Sequence, residues 1–235
     1  MPIELKVLST TAMKTVFAEA SPLFERQSGN RLSVTLGPSL RLEQRLAEGE
    51  AADVAIVSAA GARDLVDRGR LVAASVIAVA RSSIGIAVAK GAPAPDISSV
   101  ETFKRALLAA KSIALSQPVG GGQSGVHMAK VFERLGIAEA MQAKAKYGAG
   151  GAGGLAGLFV RRGEAEIAIQ QMAELMAVAD IDIVGPLPAE LQCTTTFAAA
   201  IPTSASRPEA GRALIDFLVA PAIKNIIKVN GLEPA

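Results

Sequence analysis

The sequence predicts an α/β protein of two lobes, each a mixed, mostly parallel sheet flanked by helices. Short β-branched runs alternate with segments of helical periodicity along the whole chain, which is the pattern of largely parallel sheets. Hydrophobic residues make up 50% of the 235, enough to bury a substantial core in one domain or in two small ones. The turns from strand to helix are rich in glycine or in hydroxyl side chains.

The elements follow in order. "IELKVLS" places Ile3, Leu5 and Val7 on one strand face, and Val16, Phe17, Ala20, Leu23 and Phe24 then recur at helical spacing. Pro22 inside that pattern predicts a bend or a restart, with Ser21 as N-cap and Pro22 at the first helical position. Leu32, Val34 and Leu36 alternate as a second strand, and beyond Gly37 and Pro38 the segment Ser39 to Glu48 sets Leu42 and Leu46 one turn apart. "ADVAIVS" reads as a short buried strand, Asp64 to Arg68 as a short helix and "IGIAVAKG" as another strand. Ser98 and Glu101 stand at capping-box spacing ahead of Phe103, Leu107 and Ala110. "SIALS" is the next strand, and Met128, Val131, Phe132 and Leu135 predict a helix over 125–135 with one buried face. A glycine-rich stretch at 148–154 leads into a helix ending near 162, followed by strands in "AEIAIQQ" and "DIDIVGP". "TTTFAAAIPTSA" reads as a strand and "PEAGRALIDFLVAPAIKNIIKVNG" as one or two closing helices. The chain is expected to cross between lobes near Arg81 to Gly85 and to return near Thr195 to Ala199. The expected domains are therefore 1–82 plus 198–235, and 83–197.

Composition removes several classes of function. Aromatics are 3% with no Trp, so stacking platforms for single-stranded nucleic acid are scarce. The 24 basic and 22 acidic residues are interspersed, with a net charge of +2 and no polybasic stripe. Nucleic-acid partners and membrane insertion are set aside. The longest apolar runs, such as Ile84 to Ala89, fall short of the roughly 20 residues of a spanning helix. "MPIELKVLST" enters a strand-like alternation directly, so the expected location is cytoplasmic for the chain as written, and periplasmic if an export signal has been removed. A single cysteine, Cys193, excludes an internal disulfide, and a single histidine, His127, excludes the usual Cys/His zinc sets. No acidic cluster of the EF-hand type occurs. No metal or cofactor is expected, and the chain is read as a monomer.

"GGGQSG" satisfies G-x-G-x-x-G at Gly120, Gly122 and Gly125, between a strand and a helix. "GAGGAG" at 148–153 satisfies it too, so the pattern discriminates little in this chain. A dinucleotide site also needs an acidic residue about 20 positions on, at the end of a second strand, and Glu139 lies closer. No Gly-Lys-Ser/Thr ending exists for a Walker loop. What remains is the physics these motifs share: a helix start has unpaired N–H groups and the positive dipole end, so it attracts an anion. Four such turns occur, at Ser9, Thr10 and Thr11, at Gly37 to Ser39, at Gly121 to Ser124, and at Gly150 to Gly154. Apart from Lys14 and Arg41 downstream, none contains a cation. Any one of them reads equally as an ordinary N-cap and turn. Together they point to a small anionic ligand held by neutral donors.

"KVLSTTAMKTVFAEASPLFE", "LGPSLRLEQRLAEGEAADVAIVS", "ALSQPVGGGQSGVHMAKVFERLGI", "RRGEAEIAIQQ" and "IVGPLP" carry a resemblance over nearly the whole chain. The sequence resembles the periplasmic molybdate-binding proteins of ABC transporters, which have the type II periplasmic-binding fold. It is also similar to aconitate isomerase, which does proton-shift chemistry on a tricarboxylate. The resemblance implies a cleft between two lobes, a small anion in it, and an ABC permease as partner. It implies hydroxyl ligands from the first two helix starts, backbone amides from the later ones and a tyrosine hydroxyl. Ser39 matches the second hydroxyl ligand, Ser124 the backbone donor in the loop of Gly122, and Gly153 falls near the next backbone donor. Ala12 stands where the family has its first serine, leaving Ser9, Thr10 or Thr11 as substitutes, and Gln171 stands where it has tyrosine. The ligand therefore stays open between a molybdate-like oxyanion and an organic carboxylate.

Two functions follow from these readings: a substrate-binding protein for a small anion, or an isomerase acting on a polycarboxylate such as aconitate. His127, in the first turn of the helix after the glycine loop, is either a donor or base toward the ligand or a side chain covering that turn. Gln170 and Gln171 suit carboxylate recognition and also suit a strand end. Cys193, Met172 and Met176 read as core, and Arg161 and Arg162 as solvent-facing.

Overall fold

The computed structural model describes residues 3–148 and 154–235. The chain builds β1 (Glu4–Thr10), α1 (Lys14–Ser28), β2 (Arg31–Gly37), α2 (Ser39–Ala47), β3 (Val54–Ser58), α3 (Ala59–Asp67) and β4 (Ile77–Ser82). There follow β5 (Ile84–Ala89), α4 (Val100–Ala109), β6 (Ile113–Ser116), α5 (Gln123–Arg134), α6 (Ala138–Gln142), β7 (Ala145–Gly148), α7 (Ala156–Arg161), β8 (Ile167–Gln171), α8 (Met172–Met176) and β9 (Ile181–Pro186). The chain ends in β10 (Thr195–Ala200), α9 (Pro208–Val219), α10 (Pro221–Val229) and β11 (Glu233–Pro234). Two units result: the residues up to Ser82 with Thr195–Ala235, and Ser83–Thr194.

In the first unit β1 is flanked by β2 and β3, both parallel to it. Strand neighbours on both edges and helices against the faces leave little water contact, and five of its seven residues are buried. β10, from the far end of the chain, inserts antiparallel between β3 and β4, giving the order β11-β4-β10-β3-β1-β2. Leu8, Leu42, Val57, Leu65 and Ala198 pack together in one core cluster. Buried Asp53, just before β3, accepts from the Lys6 N–H at 2.9 Å and from the Ser206 and Arg207 N–H groups at 3.1 Å each. One carboxylate thus fastens β1 to the entry of α9, whose own N-cap residue Arg207 provides no side-chain cap.

The second unit repeats this topology. β6 lies between parallel β7 and β8, and β5, from before that trio, runs antiparallel between β8 and β9 in the order β7-β6-β8-β5-β9. The two faces of its sheet differ in size. Ile84, Ile86, Ile113, Leu115, Ile167 and Ile169 join Phe103, Met128 and Phe132 on one side, whereas Ala87, Ala114 and Ala168 form the other. That alanine face lets α7 approach closely through Ala156, Gly157 and Val160. A Cβ on Gly157 would lie 2.9 Å from Ile181 Cδ1.

Several local expectations change. α1 runs unbroken through Pro22, on its exposed side, where the hydrogen bond that proline cannot make is left to solvent. The capping box of α4 is Ser99 with Thr102, one residue beyond the Ser98 and Glu101 pair. Ser98 instead binds the exposed Asp96 carboxylate. α3 begins five residues before Asp64, because the Ser58 hydroxyl accepts from the Gly61 N–H and starts it there. Met176 is 47% exposed and so lies outside the core, while Met172 packs its thioether against Gly85. Cys193 is half-buried against the larger core cluster of its unit.

Candidate functional site

The carboxyl ends of β1 and β2 bring the first two helix starts together. Thr10 pairs with Gly37 and Ser9 with Leu36 in parallel register, so both chains leave the sheet at the same edge. A 3-10 turn over Thr11–Met13 then leads into α1. Ser9 donates weakly to the Thr10 carbonyl at 3.4 Å. Thr11, 3% exposed, holds its Oγ1 buried without a partner among the described residues, as does Thr15 one helical turn on. Ser39 is 2% exposed at the first position of α2, and no side-chain cap closes that helix start. An unpartnered buried hydroxyl is unfavourable by about 1–3 kcal/mol. Ala12 between them is buried.

The third helix start of this unit is closed by its own chain. The Ser58 hydroxyl accepts from the Gly61 N–H at 3.0 Å and donates to Glu43 Oε1 at 2.7 Å. Burial pushes the Glu43 carboxyl up from its ordinary value, against the lowering effect of the Ser58 hydrogen bonds. A Cβ on Gly61 would fall 2.1 Å from Glu43 Cδ, so a larger residue there would displace the Glu43 carboxylate from Ser58.

In the second unit the glycine loop is shaped by its own backbone. Gly120 adopts φ +67°. A Cβ on Gly121 would lie 2.1 Å from the Gln117 carbonyl oxygen, and one on Gly125 only 2.4 Å from that of Ser116. Gly122, the N-cap of α5, has no such neighbour, its nearest being Ser116 Oγ at 3.5 Å. Ser124 is buried in the first turn of α5 and reaches Ser116 Oγ at 3.4 Å. Ser116 Oγ also accepts from Gln170 Nε2 at 3.2 Å, and Gln170 Oε1 accepts the Ala156 N–H at 2.7 Å. The β6/β8 pairing, Leu115 opposite Ile169, brings these side chains together.

Gln171, buried, ends β8 and is the N-cap of α8. Glu174, the third residue of α8, reaches back to the Gln171 N–H and to the Gln170 amide. Burial pushes its carboxyl up to about 7, opposed by those two hydrogen bonds. His127 Nε2 lies 2.7 Å from the Leu191 carbonyl oxygen. A carbonyl only accepts, so Nε2 carries the hydrogen and ties α5 to the 3-10 turn over Ala189–Leu191. Gly153 lies outside the described residues.

The structure thus gathers Ser9, Thr10, Thr11 and Ser39 at one sheet edge, and Ser124 and Gln171 about a second. Ser116, Glu174, Ser58 and Glu43 were not legible as members of these groups. The one local signal was the i, i+4 spacing of Gln170 and Glu174. Among the described residues no cluster of His, Cys, Asp or Glu could hold a metal ion, and no helix is long and apolar enough to cross a membrane.

These two sheets with helix starts at the carboxyl ends of their parallel strands define the type II periplasmic-binding fold. The Azotobacter vinelandii periplasmic molybdate-binding protein superposes with TM-score 0.79 at 19% identity, over 97% of this chain and 98% of that one. The sulfate-binding protein SubI from Mycobacterium tuberculosis H37Rv superposes with TM-score 0.78 at 15% identity, over 99% and 87%. Residues 5–233 match the family model described as bacterial extracellular solute-binding protein, and the chain belongs to that family. An aconitate isomerase from Pseudomonas sp is 34% identical over 98% of this chain and 87% of its own length.

Proposed function

We propose that this solute-binding protein takes a small, multiply charged anion, with a polycarboxylate of the aconitate class as its solute. The carrying observation is the buried Thr11 hydroxyl, without a partner among the described residues, beside the uncapped α2 start at Ser39. In the first unit Thr10, Thr11 and Ser39 offer hydroxyl and amide donors to such an anion, and in the second Gly122, Ser124 and Gln171 offer donors of the same kind. Charge-assisted hydrogen bonds of this kind grip an anion without a lysine or arginine clamp. The 34% identity to an aconitate isomerase favours a carboxylate. The molybdate- and sulfate-binding neighbours, at 19% and 15%, share the fold. In this reading the protein works on the periplasmic side and delivers its solute to an ABC permease.

The same relative favours a second reading, in which the bound polycarboxylate undergoes a proton shift. A panel of cis- and trans-aconitate, citrate, molybdate, sulfate and phosphate, followed by thermal shift and calorimetry, separates the ligand classes, since a ligand bound only by the folded state raises Tm by mass action. Stabilisation by the carboxylates is expected, and stabilisation by molybdate or sulfate alone would refute the carboxylate. NMR of cis-aconitate with the protein then decides the chemistry. Interconversion to the trans isomer makes it an isomerase, and stoichiometric binding without turnover makes it a carrier.

A further inference from the structure

Glu174 is 8% exposed, and no cation among the described residues answers its charge. The elements packed against α8 are β5, β8, α7 and β9. β5 and β8 carry no titratable side chain. α7 contributes only the exposed Arg161 at its last residue. β9 contributes Asp182, which is held by Lys90 at 2.9 Å and by the Gly91 N–H at 2.7 Å. The contacts of the carboxyl are instead the Gln171 N–H and the Gln170 amide.

The Gln170 amide has one orientation compatible with its neighbours. The Ala156 N–H can only donate, so the oxygen of Gln170 faces it, and the two hydrogens of Nε2 are left for Ser116 Oγ and the Glu174 carboxyl. One side chain therefore sets the entry of α7, the hydroxyl that Ser124 of α5 leans on, and the buried acid of α8.

Resting on the anion reading above, we propose that Gln170 and Glu174 are a proton-linked positioning pair beneath the second unit's donors, so that the anion is taken up together with a proton on Glu174. Within this interior a ligand bound near Ser124 adds negative charge a few hydrogen bonds from the carboxyl and raises its affinity for a proton. Linkage is reciprocal, so the proton tightens the anion. Below its folded pKa of about 7 Glu174 is already neutral and does not oppose the ligand. As the pH rises through that value the anion must bring a proton with it or bear the repulsion, and affinity falls.

Calorimetry of the wild-type protein with trans-aconitate, at about pH 7.5 in two buffers of different ionisation enthalpy, measures the proton directly. A net uptake is expected, with roughly tenfold weaker binding at about pH 9 than at about pH 6. Glu174→Gln, which keeps an acceptor for the Gln171 N–H and imitates the protonated acid, should bind nearly independently of pH and without uptake. The titration of the ligand itself is common to both proteins and cancels in the comparison. A purely structural cap would move stability and leave the pH profile alone, so equal profiles in the two proteins overturn the proposal. If the variant does not fold, the two-buffer measurement on the wild type decides by itself, and binding without proton uptake overturns the pair while sparing the anion reading. Absence of aconitate binding at every pH removes the reading and the pair together.

Discussion

The two units place helix starts at the carboxyl ends of the same strand trio and then treat them differently. In the first, the starts after β1 and β2 carry buried hydroxyls, with Thr11 Oγ1 left without a partner among the described residues and no side-chain cap on α2. In the second, Ser124, Ser116, Gln170 and Glu174 are joined into one buried polar chain. An unpaired donor invites a ligand at the expense of the empty state, whereas a network holds its donors in place beforehand and makes them sensitive to one another. The first unit should therefore answer substitution mainly in affinity, and the second mainly in stability.

The sharpest break is Gly125→Ala. Its Cβ would press on the Ser116 and Gln117 carbonyl oxygens at 2.4 and 2.6 Å, and backbone has no rotamer by which to yield. A loss of about 3 kcal/mol or more is expected in chemical denaturation, whereas Gly122→Ala, in open contact, should change stability by less than about 1 kcal/mol. Equal effects at the two positions would mean that the loop is not packed as described.

Next in size is the pH dependence of stability. The folded pKa of Glu174 stands above the ordinary 4.5, so its contribution to folding is fully present below about 4.5 and is lost as the pH rises through about 7. The loss is on the order of 3 kcal/mol, and Glu174→Gln should flatten that part of the stability profile. Gln170→Ala comes third, at about 2–3 kcal/mol, since it strands the Ala156 N–H and removes a donor from both Ser116 and Glu174.

The first unit provides the contrast. Thr11→Val replaces an unpartnered hydroxyl with a methyl group, so the melting temperature without ligand should hold or rise. The affinity for the anion should fall by about 1–3 kcal/mol, as it should for Ser39→Ala. A Thr11→Val protein that loses stability and keeps its affinity would invert the comparison. The smallest effect is expected at His127→Gln: its Nε2 is engaged by Leu191, so the variant should lower stability by about 1 kcal/mol and leave affinity within about twofold.

Strand alternation and helical spacing are local properties, and they made most elements readable: β1 from Leu5 and Val7, α5 from Met128, Val131 and Phe132. The concentration of hydroxyls and glycines at helix starts was equally local and marked Thr11, Ser39 and Ser124. What the residues could not disclose is which of those donors the chain itself would occupy. Gln170 meets Ser116 across 54 positions and Ala156 across 14, and Ser58 meets Glu43 across 15. Such partnerships depend on strand register and on the distance of approach between layers. Neither is encoded within a single turn or strand, so the tertiary structure alone decided which helix starts are closed and which are left open.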